Sequence, residues 1–286
     1  MTKKLKSVVA SIARMEEAYI QEWVAHQYIL GFDKIVVIIQ QLQGEPLCHT
    51  IDKIQQLPKF VLEKVETQII LDTRTYDEKY TQQAFQEQAY HQLYNQIKGK
   101  FEWLASFDID ELFYDSQQRS INKILSTVPK TTGQVFIPWI VYGHNNRVLS
   151  VKYPETRLSA FTTEFGSVRP TWTRSYGKTI TRVDNIQADQ QWYWCHEMTA
   201  TGDFTTFDGE PIVSEKNYKS PKDIYLAHYY TGSMEDWTIR CKRVANNGDG
   251  KKYDVGDFMY HTCENQDTRM LIYNEKIKKI LSQCQK

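Results

Sequence analysis

The run Phe101-Glu102-Trp103-Leu104-Ala105-Ser106-Phe107-Asp108-Ile109-Asp110-Glu111-Leu112 decides the fold. An apolar, aromatic-rich segment of strand length ends abruptly in acids. Upstream of it the pattern is regular. Gly99 stops a helix predicted over residues 78–98, in which Phe85, Ala89, Leu93 and Ile97 recur every four positions. Before that helix come a strand around 67–71, a short helix around 50–56, and residues 34–39, KIVVII. Such a β-branched run suits a strand buried on both faces. Earlier still, Tyr19, Trp23, His26 and Leu30 form one stripe of a helix expected over 16–30, with Gly31 as its stop. Val8-Val9-Ala10 opens the chain as a first strand. Strands alternating with helices predict an α/β fold, a mostly parallel sheet flanked by helices. Ligands of such sheets sit beyond the carboxyl ends of the strands. Asp108 and Asp110 fall at one of those ends.

Beyond residue 114 the pattern loosens. Residues 134–142, QVFIPWIVY, read as a strand. Residues 143–225 are rich in turns, threonine and aromatics. Helices are expected around 234–246 and 267–282. The expectation is one domain over 1–286. Residues 1–114 form its nucleotide-binding half, and residues 115–286 a mixed, loop-rich acceptor half packed against it.

Lys+Arg and Asp+Glu are each 35, so the chain is neutral and has no general attraction to nucleic acid. Cys48, Cys195, Cys241, Cys263 and Cys284 are scattered, with no C-x-x-C pair. No disulfide framework or zinc knuckle follows, and reduced thiols are expected. No apolar run approaches the ~20 residues of a membrane span. Residues 7–13 read as a buried strand rather than a signal peptide. A cytoplasmic protein is expected.

Asp108 and Asp110 are one residue apart. In an extended strand they point to the same side. Two carboxylates so placed can bridge Mg2+ or Mn2+ to a diphosphate. The ion neutralises charge developing on a departing phosphate. The same tripeptide also arises by chance as a solvated acidic turn. A haloacid-dehalogenase-type phosphotransferase carries a similar triplet, but wants threonine where Leu112 stands and places its motif on the first strand.

Further blocks accompany the acidic one. They are Ala13-Arg14-Met15-Glu16, Glu22-Trp23-Val24-Ala25-His26 with Gly31-Phe32-Asp33, and Gln86 with Ala89-Tyr90. Later come Pro138-Trp139 with Tyr142-Gly143, Gly177-Lys178-Thr179-Ile180-Thr181-Arg182, and Ala227-His228-Tyr229-Tyr230 with Ser233. In this order and spacing the chain resembles bacterial glycosyltransferase family 2-like proteins related to family 92. The resemblance implies a GT-A fold, Rossmann-like in its sheet. It implies a nucleotide-diphosphate sugar donor, a uridine diphosphate sugar first among them, and Mn2+ or Mg2+. It implies inverting transfer to a glycan or glycolipid hydroxyl in bacterial surface polysaccharide or lipooligosaccharide synthesis. Peripheral association with the inner face of the membrane fits a glycolipid acceptor. The chain departs from the family at two places. Met15 replaces the usual asparagine, and Gln40-Gln41 stands where an acid commonly helps to hold the nucleoside.

The remaining candidates follow from residue type and these blocks. Arg14, Glu16, Gln40, Gln86, Asp108, Lys178 and Arg182 are the donor-side set. Lys178 and Arg182 suit a diphosphate, or are ordinary surface charges. Arg14 meets the nucleotide, or pairs with Glu16 or Glu17. Gln40 offers its amide to a base edge. His228 is the expected third metal ligand, with His196 as its rival. Among Glu197, Asp203, Asp208 and Glu210, Glu197 is the first choice of catalytic base. Trp139 and Trp194 stack on acceptor sugars or simply fill the core. A non-catalytic relative that binds a glycan or a protein is the competing class.

Overall fold

The computed structural model describes residues 6–42, 49–72, 82–164, 171–172, 176–188, 193–194, 196–213, 218–219, 222–242, 255–260 and 265–284. The strands of its main sheet are β1 (Ser7–Ala13), β2 (Lys34–Leu42), β3 (Val65–Asp72), β4 (Trp103–Ser106), β5 (Glu111–Asp115), β6 (Thr132–Val141), β7 (Gly177–Arg182), β8 (Asp203–Thr205) and β9 (Ile224–His228). The described helices are α1 (Ile20–Leu30), α2 (Thr50–Gln55), α3 (Lys59–Leu62), α4 (Gln82–Ile97), α5 (Ile121–Leu125), α6 (Arg157–Ala160), α7 (Met234–Lys242), α8 (Val255–Tyr260) and α9 (Asn274–Leu281).

The first four strands lie parallel in the order β3-β2-β1-β4. β7 then runs antiparallel to both β4 and β6. β9 is parallel to β6 and antiparallel to β5, while β8 follows β6 in parallel. The result is a large, curled, mostly parallel α/β sheet flanked by helices. Alternation along β1 and β2 explains why Val8–Ala10 and Ile35–Ile39 are apolar at every position. Val9, Ile35, Val37 and Ile39 share one core with Trp23 and Val24 of α1 and Ile277 of α9. Val8, Ala10, Val36 and Ile38 share the opposite core with Phe85, Ala89, Leu93 and Ile97 of α4. Residues 35–39 are each at most 1% exposed. At about 2 kcal/mol per buried aliphatic side chain, this strand is a main anchor of the fold.

Some boundaries move. The first helix begins at Ile20, because the Glu16 carbonyl already accepts the Tyr19 and Ile20 amides in a preceding turn. Gly31 closes it in the left-handed conformation, at φ 82°. Residues 78–81 of the helix predicted over 78–98 and 243–246 of a later one lie outside the described residues. The expected tail helix splits into a 3-10 turn, Arg269–Tyr273, and then α9. No helix among the described residues is long and apolar enough to cross a membrane.

Candidate functional site: the acidic turn

β4 ends at Ser106 and β5 begins at Glu111. Asp108, Ile109 and Asp110 therefore form a tight turn between them, closed by the Glu111 amide donating to the Asp108 carbonyl at 3.0 Å. This corrects the expectation of an extended strand with both carboxylates on one side. The chain must reverse here so that β5 can pair antiparallel with β9, opposing Glu111 to His228.

Each acid has its own partners. Asp108 Oδ2 accepts from Lys178 Nζ at 2.8 Å, and the same ammonium lies 3.9 Å from Glu111 Oε1. Asp108 is about half exposed, whereas Lys178 and Glu111 are buried. Asp110 Oδ2 accepts from Arg240 of α7 at 2.7 Å and lies 3.6 Å from His228 Nε2, beyond hydrogen-bond distance. The Tyr229 amide donates to the Asp110 carbonyl. Arg157, at the start of α6, donates to the Ile109 carbonyl at 2.8 Å while its guanidinium lies 3.7 Å over the Tyr19 ring. The turn is thus clamped from four distant segments, through Lys178, Arg240, Tyr229 and Arg157.

The electrostatics follow from burial and these partners. Burial opposes ionisation of Asp110, but His228, Arg240 and Arg157 together hold it well below the usual carboxylate range. Burial pushes the Glu111 carboxyl up, opposed by Lys178 and reinforced by Asp108 and Asp110. His196 is lowered to about 4, mainly by burial and then by Lys178. It is therefore neutral at physiological pH. Its Nδ1 donates to the Gly177 carbonyl at 3.0 Å, which leaves Nε2 as the acceptor nitrogen. Trp139 packs against both imidazoles, with ring centroids 4.4 Å from His228 and 5.0 Å from His196. The Trp139 Nε1 and His228 Nδ1 atoms are buried with no hydrogen-bond partner among the described residues.

Of the expected residues, the structure gathers Asp108, Asp110, Lys178, His228, His196 and Trp139 here. Glu16 joins them by lining a small cleft of about 50 Å3 with Asp110, Arg157 and Arg240. Arg14 is half-buried just past the carboxyl end of β1. Glu197 follows His196 in a two-residue strand opposite Trp194. The Trp194 side chain lies outside the described residues. Gln86 is half-buried on α4, and no contact among the described residues ties it to the turn. Asp203, another expected base, is corrected to the far end of β6, beside Thr132.

Two donor-side expectations are corrected. Gln40 is 1% exposed, and its amide donates to Asp72 Oδ2 at 3.0 Å instead of standing open to a base. Arg182 stands opposite Trp103, donates to the Thr132 carbonyl at 2.7 Å and lies 4.1 Å over the Trp103 ring. Four residues of extended chain span about 13 Å, so Arg182 sits at the end of β7 away from Lys178.

Arg157, Arg240 and Asp72 are the residues that sequence reasoning missed. None belongs to a quoted block, and only packing brings the first two to the turn. Among the described residues, no three His, Cys, Asp or Glu side chains are gathered as a ready metal-binding group. The donor chemistry of the turn still suits a hard divalent ion. Hard oxygens come from Asp108 and Asp110, and His228 turns an imidazole nitrogen toward Asp110. No protein-family model matches this chain, and no curated protein matches it.

Proposed function

We propose that the chain is a metal-dependent glycosyltransferase of the GT-A type, in keeping with the family 2-like and family 92-related proteins it resembles. One observation carries this reading. The acidic turn lies at the carboxyl end of β4, beside the parallel strands β1 and β2, with His228 facing Asp110. Such a strand end is where an open α/β sheet binds its ligand.

Asp108, Asp110 and His228 would hold Mn2+ or Mg2+. When bound, that ion supplies Lewis-acid charge to a departing diphosphate. The chain's own cations complete the neutralisation. Lys178 and Arg240 each pair with one of the two acids and are the cations that a diphosphate meets at this turn. Arg157 holds the turn's backbone through Ile109. Trp139, whose indole N–H has no hydrogen-bond partner among the described residues, suits an acceptor sugar that is both apolar-faced and hydroxylated. Glu197 is the proposed base for the acceptor hydroxyl. The donor is a nucleotide-diphosphate sugar, and the acceptor a glycan or glycolipid.

A second reading, a non-catalytic GT-A relative, is favoured by the pairing of both acids with internal cations. One experiment separates the two. Mn2+ binding is followed by electron paramagnetic resonance with and without uridine diphosphate, and turnover is then measured over a panel of nucleotide sugars. The enzyme reading expects turnover, its loss in Asp108→Ala, and Mn2+ binding weakened at least about tenfold in Asp110→Asn, the loss of one charged ligand. Unchanged turnover in Asp108→Ala removes the metal site. Binding without turnover on any donor selects the non-catalytic reading.

A further inference from the structure

Arg240 and His228 converge on one oxygen of Asp110. The guanidinium donates to Oδ2 at 2.7 Å, and His228 Nε2 lies 3.6 Å from that same oxygen. The pair is mostly shielded from solvent, with the Arg240 side chain 24% exposed and that of Asp110 15%. A divalent ion held between Asp110 and His228 therefore meets an oxygen that a cation of the chain already takes. Two cations in contact with one carboxylate oxygen repel strongly, the more so when one is divalent and water is largely excluded. The guanidinium and the ion are alternatives at Oδ2.

The surroundings let the guanidinium withdraw while the helix stays in place. α7 is fixed at its start by Asp236. Its carboxylate accepts from the Ser233 amide and hydroxyl at 2.8 Å each, and from the Tyr19 and Ser150 hydroxyls at 2.6 Å each. One turn further on, the Arg240 guanidinium also lies 4.9 Å over the Tyr230 ring. That cation–π contact persists when the carboxylate is given up. Arg240 also borders the small cleft of about 50 Å3 together with Asp110 and Glu16. Lys178 is placed differently. It is 3% exposed, stands on a strand of the main sheet and faces both Asp108 and Glu111. Of the two cations at the turn, Arg240 is the one with room to leave its acid.

Resting on the metal-dependent reading above, we propose that Arg240 is an internal counter-ion for Asp110. It gives up Oδ2 when a divalent ion is bound, stays on Tyr230, and then pairs with the diphosphate of the donor. Arginine suits the second task because its planar fork matches phosphate oxygens. The consequence is a pair of effects of opposite sign. Without nucleotide, Arg240 competes with the ion. With nucleotide, it adds to the binding of the diphosphate. A residue that only braced the turn would help both.

The test uses the full chain with Arg240→Gln, which removes the charge, and Arg240→Lys, which keeps it. Mn2+ binding without nucleotide is read by electron paramagnetic resonance, and uridine diphosphate binding at saturating Mn2+ by calorimetry. Arg240→Gln is expected to bind Mn2+ about tenfold more tightly than the parent and uridine diphosphate about tenfold more weakly. Arg240→Lys is expected to stay within about threefold of the parent for Mn2+ and to bind uridine diphosphate about threefold more weakly, having lost the fork. Nuclear magnetic resonance of the arginine Nε–H groups gives a second readout. The Arg240 signal, assigned by its loss in Arg240→Lys, is expected to shift when Mg2+ is added without nucleotide. Mn2+ binding unchanged or weaker in Arg240→Gln, uridine diphosphate binding as tight as the parent's, or an Arg240 signal unmoved by Mg2+ overturns the proposal and leaves the metal site standing. No Mn2+ binding in the parent or either variant removes the metal-dependent reading, and this proposal with it.

Discussion

Lys178 Nζ lies 2.8 Å from Asp108 Oδ2 and 3.9 Å from Glu111 Oε1, so one buried ammonium faces two acids of the same turn. Removing it leaves Glu111 in the interior with no cation beside it among the described residues, although Asp108 is screened by water. Lys178→Ala is expected to cost about 2 kcal/mol, below the full penalty for a buried pair because of that screening. The shift of the urea unfolding midpoint at constant slope measures it. No shift would mean that the pair contributes nothing to stability.

Gly177 precedes that lysine, where β7 crosses Pro138 of β6. A Cβ there would stand 2.3 Å from the Ile137 carbonyl oxygen and 2.4 Å from the Phe136 ring. Backbone cannot yield as a side chain does. Gly177→Ala is expected to destabilise by about 3 kcal/mol through overpacking. Thermal unfolding reads this directly, and a variant as stable as the parent contradicts the close approach.

Met15 has φ 55°, a left-handed conformation that a long side chain rarely adopts. Asparagine tolerates it, and asparagine is what the resembled family places there. Met15→Asn is expected to raise stability by about 0.5–1 kcal/mol, part of the left-handed penalty. Denaturant unfolding of the two proteins checks the sign, and a loss of stability would show that Met15 packing outweighs the strain.

Burial raises the Glu22 carboxyl above the ordinary glutamate value, opposed by the facing Arg157. The nearby Tyr229 phenol is raised well above its own usual value. A raised carboxyl favours the folded state while protonated. Its contribution is complete below the ordinary glutamate range and is lost as pH rises through the raised value. The stability of the parent relative to Glu22→Gln is therefore expected to fall as pH climbs from that range toward neutrality. Unfolding free energies at several pH values test it, and a difference that grows with pH refutes it.

Much of the first half was legible from local pattern. The stripe Phe85, Ala89, Leu93 and Ile97 marked a helix because helical neighbours recur every three or four residues. All four are buried on the sheet. KIVVII marked a strand covered on both faces, and it is one. The departures at the site have a different cause. Gln40 was expected to face a ligand, but its neighbour across the sheet is β3, whose end carries Asp72. Arg182 was grouped with Lys178 by spacing, but an extended strand carries them to opposite ends. Arg240 had no sequence signal, because its role arises only where α7 meets the turn.

By itself the sequence determined the α/β alternation, the buried parallel strands and the position of Asp108-Ile109-Asp110 after an apolar strand. Those features depend on side-chain period and on residues adjacent in the chain. Only the tertiary structure decided what each acid touches. Lys178 is 70 residues from Asp108, and Arg240 is 130 from Asp110. Strand order and register bring them together, and no local period encodes either.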